Sequence, residues 1–469
     1  MFDFTATYTD QYQLAMAQVY FENGHKNHQS VFDYFFRKLP FEGGYAVFSG
    51  LQDLLEIIEN LQFDEKDIAF LKKAGFNEGF LDYLKNFRFR GSIYSVKEGD
   101  IVFPTRPVLQ IEANIIEAQI IETILLNLLN FQTLIATKAS RMRLVAGDRH
   151  LLDFGLRRAQ GPGGYYATRA AITGGFDGTS NVVAARNFDI PVSGTMAHSF
   201  VQSYDHELDA FRSFAKGRPD KCVLLVDTYN TLASGIPNVI TVAKEMEEKG
   251  QKLFAVRLDS GDLAYFAKES RKLLDRAGLD YVKIAASNQL DEYVIKSLLE
   301  QQAPIDIFGV GTNLVTGNPD SALDGVYKLA ESNGKPRIKI SESLAKVTLP
   351  HKKQVFRIKN SNGQCVGADA IGLRSETQIE EMFHPFEPYK SMKLQDFKQE
   401  PLLHKVMHNG KSFLEKQSLK DIAAYSLSRL AELPIEYKRF NNPHIYKIGI
   451  SEVLKEERDK LIKEYKQLS

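Results

Sequence analysis

The chain has 469 residues, of which 43% are hydrophobic, enough for two or three domains with substantial cores. Its 59 basic and 59 acidic side chains cancel, so no overall field draws it to nucleic acid or to an anionic membrane, and any phosphate site has to be a local cluster. The two cysteines, Cys222 in an apolar run and Cys365 in a polar turn, are too few for a disulfide framework and lack zinc-ligand spacing, which points to the cytoplasm.

The amino-terminal MFDFTATYTD has neither a basic n-region nor an apolar h-region, so no export signal is expected. Thr9 is the expected cap of a helix running to about Asn23, with Gly24 as its stop and Tyr12, Leu14, Ala15 and Val19 on one side. Val31 to Phe48 reads as a strand followed by a loop, and Gly50 to Leu61 has a helical apolar period. Short alternating runs between Phe87 and Ile111 predict a small antiparallel unit. The longest apolar segment, Ile115 to Ala136, is interrupted by Glu117, Glu122, Asn127 and Asn130; it reads as a buried core helix and not a membrane span.

From Asp148 the texture changes. Short apolar strands recur at intervals of roughly 25 to 35 residues, each followed by a helical pattern, as parallel βα units require. They begin at Leu151-Leu152 and Ile190-Pro191-Val192 and continue at Lys221–Val226, Leu253–Val256, Tyr281–Ala285 and Ile305–Val310. Every one hands a polar cluster to its carboxyl end. A closed (β/α) barrel gathers such ends on one face; an open doubly wound sheet puts them in a crevice along one edge, and the number of units favours the barrel. Beyond Gly325, the strips Pro336 to Val347 and Val355–Arg357 read as strands, and Leu419–Leu430 and Val453–Tyr465 as amphipathic helices. The expected organisation is a discontinuous α+β domain of residues 1–140 with 345–469, and an α/β barrel of residues 141–344.

The chemistry-bearing groups cluster at the predicted strand ends. Arg157-Arg158 follows the first strand, and the string Gly174-Gly175-Phe176-Asp177-Gly178-Thr179-Ser180-Asn181 offers a turn and backbone amides; together they suggest a phosphate cradle. Neither a Walker A sequence nor a GxGxxG is present. His198 lies three residues after Thr195, a suitable cap, which places it in the first turn of a helix. Asp227, at the end of the next strand, is the expected partner that orients its imidazole. Arg257 and Asp259 are two residues apart and so share one face of their strand, whereas Asp262 is better explained as a helix cap.

In order and spacing, GLRRAQGP, GGFDGTSN, SGTMAHSF, VRLDSGDL and FGVGTNLV, with TDQYQLAMA, VFDYFFRKLPF and GVYKLA, resemble the nicotinate phosphoribosyltransferase family over nearly the whole chain. That resemblance implies an irregular α/β barrel carried on a second domain built from both chain ends, and a homodimer with active sites at the subunit contact. It implies condensation of nicotinate with phosphoribosyl pyrophosphate, coupled to ATP and assisted by Mg²⁺, in NAD salvage. His198 matches the histidine phosphorylated by ATP, and Asp227 the carboxylate orienting it. Tyr12, Phe154, Thr195 and Arg257 match nicotinate contacts, with Tyr12 and Phe154 as the two walls of a ring sandwich. Arg157, Gly311 and Thr312 match positions holding phosphoribosyl pyrophosphate, and Asp259 an acidic group facing the ribose carbon or a metal whose ligands stay unknown. Relatives taking nicotinamide place an aspartate in the FDGTSN turn, where this chain offers Ser180 and Asn181. Some relatives carry a cysteine-rich zinc knuckle; no structural zinc is expected here. A nicotinamide or quinolinate transferase and a noncatalytic phosphosugar-binding barrel stay open as alternatives.

Overall fold

The computed structural model describes residues 4–341, 347–387 and 389–468. It divides into two compact units, one of Met1–Thr137, Ala322–Gln417 and Ala424–Ser469, the other of Lys138–Ser321 and Ser418–Ala423.

Among the described residues the first unit is built on two large sheets and a two-stranded pair, Ala46–Val47 with Ile101–Val102. A seven-stranded antiparallel sheet runs in the order Lys335–Pro336, Gly325–Ser332, Gln29–Phe36, Leu109–Asn114, Ser92–Ser95, His404–His408, Lys411–Ser412. The strand Gly325–Ser332, grouped with residues 141–344 on sequence grounds, pairs with Gln29–Phe36 instead. Its Tyr327 is buried, stacks on Phe32 with ring centroids 4.6 Å apart and donates its hydroxyl to the Ala118 carbonyl at 3.1 Å, contacts that draw this strand into the sheet. The predicted strand over 336–347 is observed only as Lys335–Pro336; positions 342–346, including the boundary placed at 344/345, lie outside the described residues. The second sheet, of six strands, includes Lys353–Lys359 and Cys365–Leu373.

A buried ionic network occupies this unit. Arg357 reaches Asp100 at 2.9 Å and Asp369 at 3.2 Å, Arg106 reaches Asp369 at 2.8 Å, and Arg429 reaches Asp100 at 2.9 Å. Burial opposes the charge on Asp100, yet Arg357 and Arg429 together hold its carboxyl below the ordinary range. The amino-terminal helix, Gln11–Glu22, is capped at Asp10 and not at Thr9, whose hydroxyl donates to the Ile120 carbonyl at 3.2 Å. The apolar stretch from 115 forms two consecutive helices, Ile115–Ile120 and Glu122–Ala146.

The second unit holds a six-stranded parallel sheet of β1 (His150–Asp153), β2 (Gly178–Thr179), β3 (Val223–Leu225), β4 (Ala255–Leu258), β5 (Lys283–Ser287) and β6 (Ile307–Val310), ordered β2-β1-β6-β5-β4-β3. The helices between the strands bury their apolar faces, as Val239, Val242, Ala243 and Met246 do in Ile236–Glu247. Asp262 accepts from the Tyr265 amide at 3.0 Å and starts the helix Leu263–Arg276, which confirms it as a cap.

Among the described residues the ladder does not close into a barrel. β2 and β3 are its edges, and the segment between them, expected as a strand at Ile190-Pro191-Val192, contributes one parallel bridge, Val192 to Thr179. Pro191 has no N–H to give a ladder; its carbonyl accepts from the Thr179 amide at 3.1 Å and the Ser193 amide donates to the Thr179 carbonyl at 2.9 Å. On the other edge, the Thr195 hydroxyl donates to the Val223 carbonyl at 3.1 Å.

Candidate active site

Parallel strands present all their carboxyl ends at one edge, and this edge collects the polar clusters expected there. β1 ends in Asp153, a buried carboxylate that accepts from the Gly155 amide at 2.8 Å and from the hydroxyls of Thr168 at 2.6 Å and Thr179 at 2.8 Å. Burial raises its pKa against the pull of those bonds. The Asp153 carbonyl also accepts from the Ser180 amide at 2.9 Å. Asp153 therefore fixes both the turn that follows β1 and the turn that follows β2.

Phe154 continues from β1, its amide donating to the Val310 carbonyl at 2.8 Å. Its ring lies over β6 at Gly309, where a Cβ would stand 2.5 Å from two ring carbons; only glycine leaves this bed open. The Arg257 guanidinium is 5.7 Å from the ring centroid, a cation–π contact.

Arg257 and Asp259 do face the same way from the end of β4. Arg257 Nη2 donates to Asp259 Oδ1 at 2.9 Å, and Arg257 Nε donates to Ser287 Oγ at 2.8 Å; Ser287, at the end of β5, donates in turn to Asp259 Oδ1. Partial burial opposes the charge on Asp259, but the Ser287 hydroxyl and the Arg257 guanidinium hold its pKa below the ordinary value.

His198 is the first residue of the helical turn His198–Gln202, capped by Ala197 and not by Thr195. Its Nδ1 is 3.1 Å from Thr228 Oγ1, and its Nε2 is 3.8 Å from Asp259 Oδ2. The expected partner, Asp227, is a correction: its Oδ2 accepts from the Asp259 amide at 2.8 Å and the Ser260 hydroxyl at 2.6 Å, and no hydrogen bond joins it to His198 among the described residues. The chain turns between β3 and the following helix, so the neighbouring Thr228 is the side chain that meets the imidazole. Asp227 instead fixes the loop that carries Asp259. Its Oδ1 is buried with no partner.

The glycine string is a second correction. Gly174 is the C-cap of the helix Gly163–Thr173 and Gly175 follows it with φ 101°. Asp177 accepts from the Leu151 amide at 2.8 Å and from Arg143 at 2.5 Å. Residues 174–177 thus lie at the amino end of β1, opposite Arg157, and cannot share a phosphate with it. Arg157 and Arg158 sit in the exposed turn Leu156–Arg158, closed by the Arg158 amide donating to the Gly155 carbonyl at 2.8 Å, and their side chains make no hydrogen bond or ion pair among the described residues. Ser180 Oγ donates to the Asp153 carbonyl at 3.2 Å, and the buried Asn181 caps the helix Val182–Phe188; both are engaged by the fold.

Thr195 gives its hydroxyl proton to Val223 and accepts from the Met196 amide at 2.5 Å, so as placed its side chain has no proton to offer a carboxylate. Gly311 and Thr312 open the turn Thr312–Val315 after β6, with Thr312 exposed. Beside them Asn313 donates to the carbonyls of Gln289 and Leu290, each at 3.2 Å. These bonds support the left-handed backbone at Asn288 (φ 82°) and Gln289 (φ 48°), conformations that persist only where surroundings enforce them. Tyr12 is on the helix Gln11–Glu22 of the first unit and is half exposed.

Sequence reasoning missed Thr228, Ser287 and Asp153. Thr228 and Ser287 lie in the polar stretches that directly follow the predicted strands ending at Val226 and Ala285, and Asp153 directly follows Leu151-Leu152, so position in the pattern was the available signal.

The chain matches three family models: the nicotinate phosphoribosyltransferase N-terminal domain over residues 7–130, the nicotinate phosphoribosyltransferase family over 149–366, and its C-terminal domain over 352–458. It is 44% identical to the nicotinate phosphoribosyltransferase of Bacillus subtilis, covering 96% of this chain and 94% of that one. It is 37% identical to that of Dictyostelium discoideum, covering 96% and 87%. The crystal structure of human nicotinic acid phosphoribosyltransferase superposes with a TM-score of 0.87 at 31% identity, covering 97% of this chain and 99% of the other. With this agreement along its whole length and a strand-end site of the kind described, the chain belongs to the nicotinate phosphoribosyltransferase family.

Proposed function

We propose that this chain condenses nicotinate with 5-phosphoribosyl 1-pyrophosphate to give nicotinate mononucleotide and pyrophosphate, and that it couples the reaction to ATP through a transient phosphohistidine at His198. The observation that carries this function is the single strand-end cluster in which Arg257 lies against the Phe154 ring and pairs with Asp259, which in turn faces His198 Nε2.

In the reaction the pyridine nitrogen forms a bond to C1 of the ribose as the bond from C1 to the pyrophosphate oxygen breaks. Positive charge grows on the sugar and negative charge on the leaving group. Phe154 offers one face for the ring, and Arg257 offers the N–H groups it does not spend on Ser287 and Asp259 to the carboxylate. Asp259, kept ionised by its neighbours, is the anion suited to the electron-poor sugar carbon. Arg157, exposed on its turn, and Thr312 after β6 are the groups we assign to the pyrophosphate and phosphate. His198 has its Nδ1 anchored by Thr228, which leaves Nε2 to attack the γ-phosphorus of ATP with ADP as leaving group; water later releases the phosphate.

Among the described residues no three His, Cys, Asp or Glu side chains form a metal cage. Mg²⁺ nevertheless fits here as an ion that arrives on substrate phosphates, because the partnerless Asp227 Oδ1 and Asp259 Oδ2, 3.8 Å from His198 Nε2, supply hard oxygen donors. When bound it would neutralise charge on the departing pyrophosphate. We also assign a homodimer in which Tyr12, 51% exposed, closes the ring sandwich in the partner's site, and a cytoplasmic location consistent with two free thiols.

The test is incubation with γ-labelled ATP. An acid-labile, base-stable phosphate is expected on the wild-type chain and none on His198→Ala. Full ATP-stimulated turnover by His198→Ala refutes the assignment, and a panel of nicotinate, nicotinamide and quinolinate tests the choice of acid.

A further inference from the structure

The hydroxyl of Ser287 sits where two neighbouring strands finish. The parallel register pairs Ala285 with Arg257 and Ala286 with Leu258, so Ser287 falls opposite Asp259 and, two residues beyond Ala285, on the face that Arg257 shares. The residue is 3% exposed. A serine has one proton to give, and here it goes to Asp259 Oδ1; its oxygen accepts Arg257 Nε–H at 2.8 Å.

This arrangement decides how the arginine spends its donors. Carboxylates commonly take guanidinium through two parallel N–H groups. Ser287 occupies Nε, so Asp259 holds Arg257 through Nη2 alone, at 2.9 Å, and Nη1 has no protein partner among the described residues. The pair is held one bond short of a closed fork. We propose, on the reading that Arg257 receives the substrate's carboxylate, that Ser287 is a positioning residue which sets the preference for the acid over the amide. It keeps the arginine from folding side-on onto Asp259. Without that hydroxyl, Nε and Nη2 turn together to Asp259 Oδ1 and Oδ2, the pair becomes self-satisfied, and an incoming carboxylate meets a guanidinium already neutralised. A neutral carboxamide gains less from the free guanidinium and loses less when it is consumed.

The experiment is steady-state kinetics of the full chain with nicotinate and with nicotinamide, comparing wild type, Ser287→Ala and Ser287→Thr. In Ser287→Ala the KM for nicotinate is expected to rise roughly tenfold or more, the scale of one hydrogen bond to a charged group. The KM for phosphoribosyl pyrophosphate should stay within about twofold and the acid-to-amide ratio of kcat/KM should fall by the same roughly tenfold factor. Ser287→Thr keeps the hydroxyl and should recover most of the nicotinate KM. Should the alanine chain not accumulate, Ser287→Cys fills the same space with a poor hydrogen-bonder and carries the same expectation. An unchanged nicotinate KM in Ser287→Ala overturns the proposal. A parallel rise in both substrates' KM, or failure of threonine to restore it, does the same, since either marks general loosening of the fold. A wild-type chain that forms no nicotinate mononucleotide overturns the underlying activity and this proposal with it, whereas an active wild type matched by Ser287→Ala overturns the proposal alone.

Discussion

Replacing Asp153 by alanine removes the acceptor for three donors in a place that water does not reach. The Gly155 amide, buried, has no other acceptor, and leaving it unsatisfied costs about 1–3 kcal/mol. The two hydroxyls fare better: Thr168 Oγ1 is already 3.0 Å from the Gly164 carbonyl, and Thr179 Oγ1 is 3.4 Å from the Asp153 carbonyl. Asp153→Ala should therefore lose about 2–4 kcal/mol in total. Asp153→Asn should lose about 1 kcal/mol or less, because its carbonyl still serves Gly155 and its amide donates to hydroxyls that turn to their alternative acceptors. Urea unfolding at neutral pH measures both. The pH dependence adds a sign. Burial raises the Asp153 pKa above the ordinary 3.8, so the native state takes up the proton first and stability falls as pH rises from 3.8 through the folded value. That slope is absent in Asp153→Asn, whose stability relative to wild type improves over the same window. Alanine and asparagine variants of equal stability would refute the role given to Asp153.

Two further outcomes follow from geometry already described. Gly309→Ala places a methyl 2.5 Å from the Phe154 ring, so the ring must leave its bed; the KM for nicotinate should rise roughly tenfold while that for phosphoribosyl pyrophosphate holds, and unchanged kinetics would show that the ring is no wall. Asp100→Asn removes one carboxylate from Arg357, which keeps Asp369, and from Arg429, which keeps Glu400 and Glu432, at about 1–3 kcal/mol near neutral pH. Because the Asp100 pKa is depressed in the fold, the wild-type advantage is present above the ordinary carboxylate range and disappears as pH falls through the folded value; a deficit that persists undiminished in acid would contradict the pairing.

The parallel strands were legible because each is a short apolar run closed by polar residues, and period two alone put Arg257 and Asp259 on one side. Helix caps were legible where the side chain had one local task, as with Asp262. Thr9 and Thr195 look equally suitable as caps, but their hydroxyls are taken by carbonyls distant in sequence, Ile120 and Val223, and no local pattern announces that. The partner of His198 was misjudged for a related reason. Asp227 and Thr228 are adjacent, and the path of the chain after β3 decides which one meets the imidazole. Glycine content also misled at Gly174 and Gly175, which end a helix at the far end of the strand. Ser287 carries no motif of its own; its importance comes from strand register, which pairs residues thirty apart in the chain.

The segment from Pro191 to Thr195 acts as a seam. It is basted to one edge strand by the bridge between Val192 and Thr179, and to the other by a single hydroxyl, that of Thr195 on Val223. His198 begins its helical turn three residues further on. The imidazole is thus held between a link to the β3 edge only three residues upstream and the side chains of Thr228 and Asp259, which follow β3 and β4.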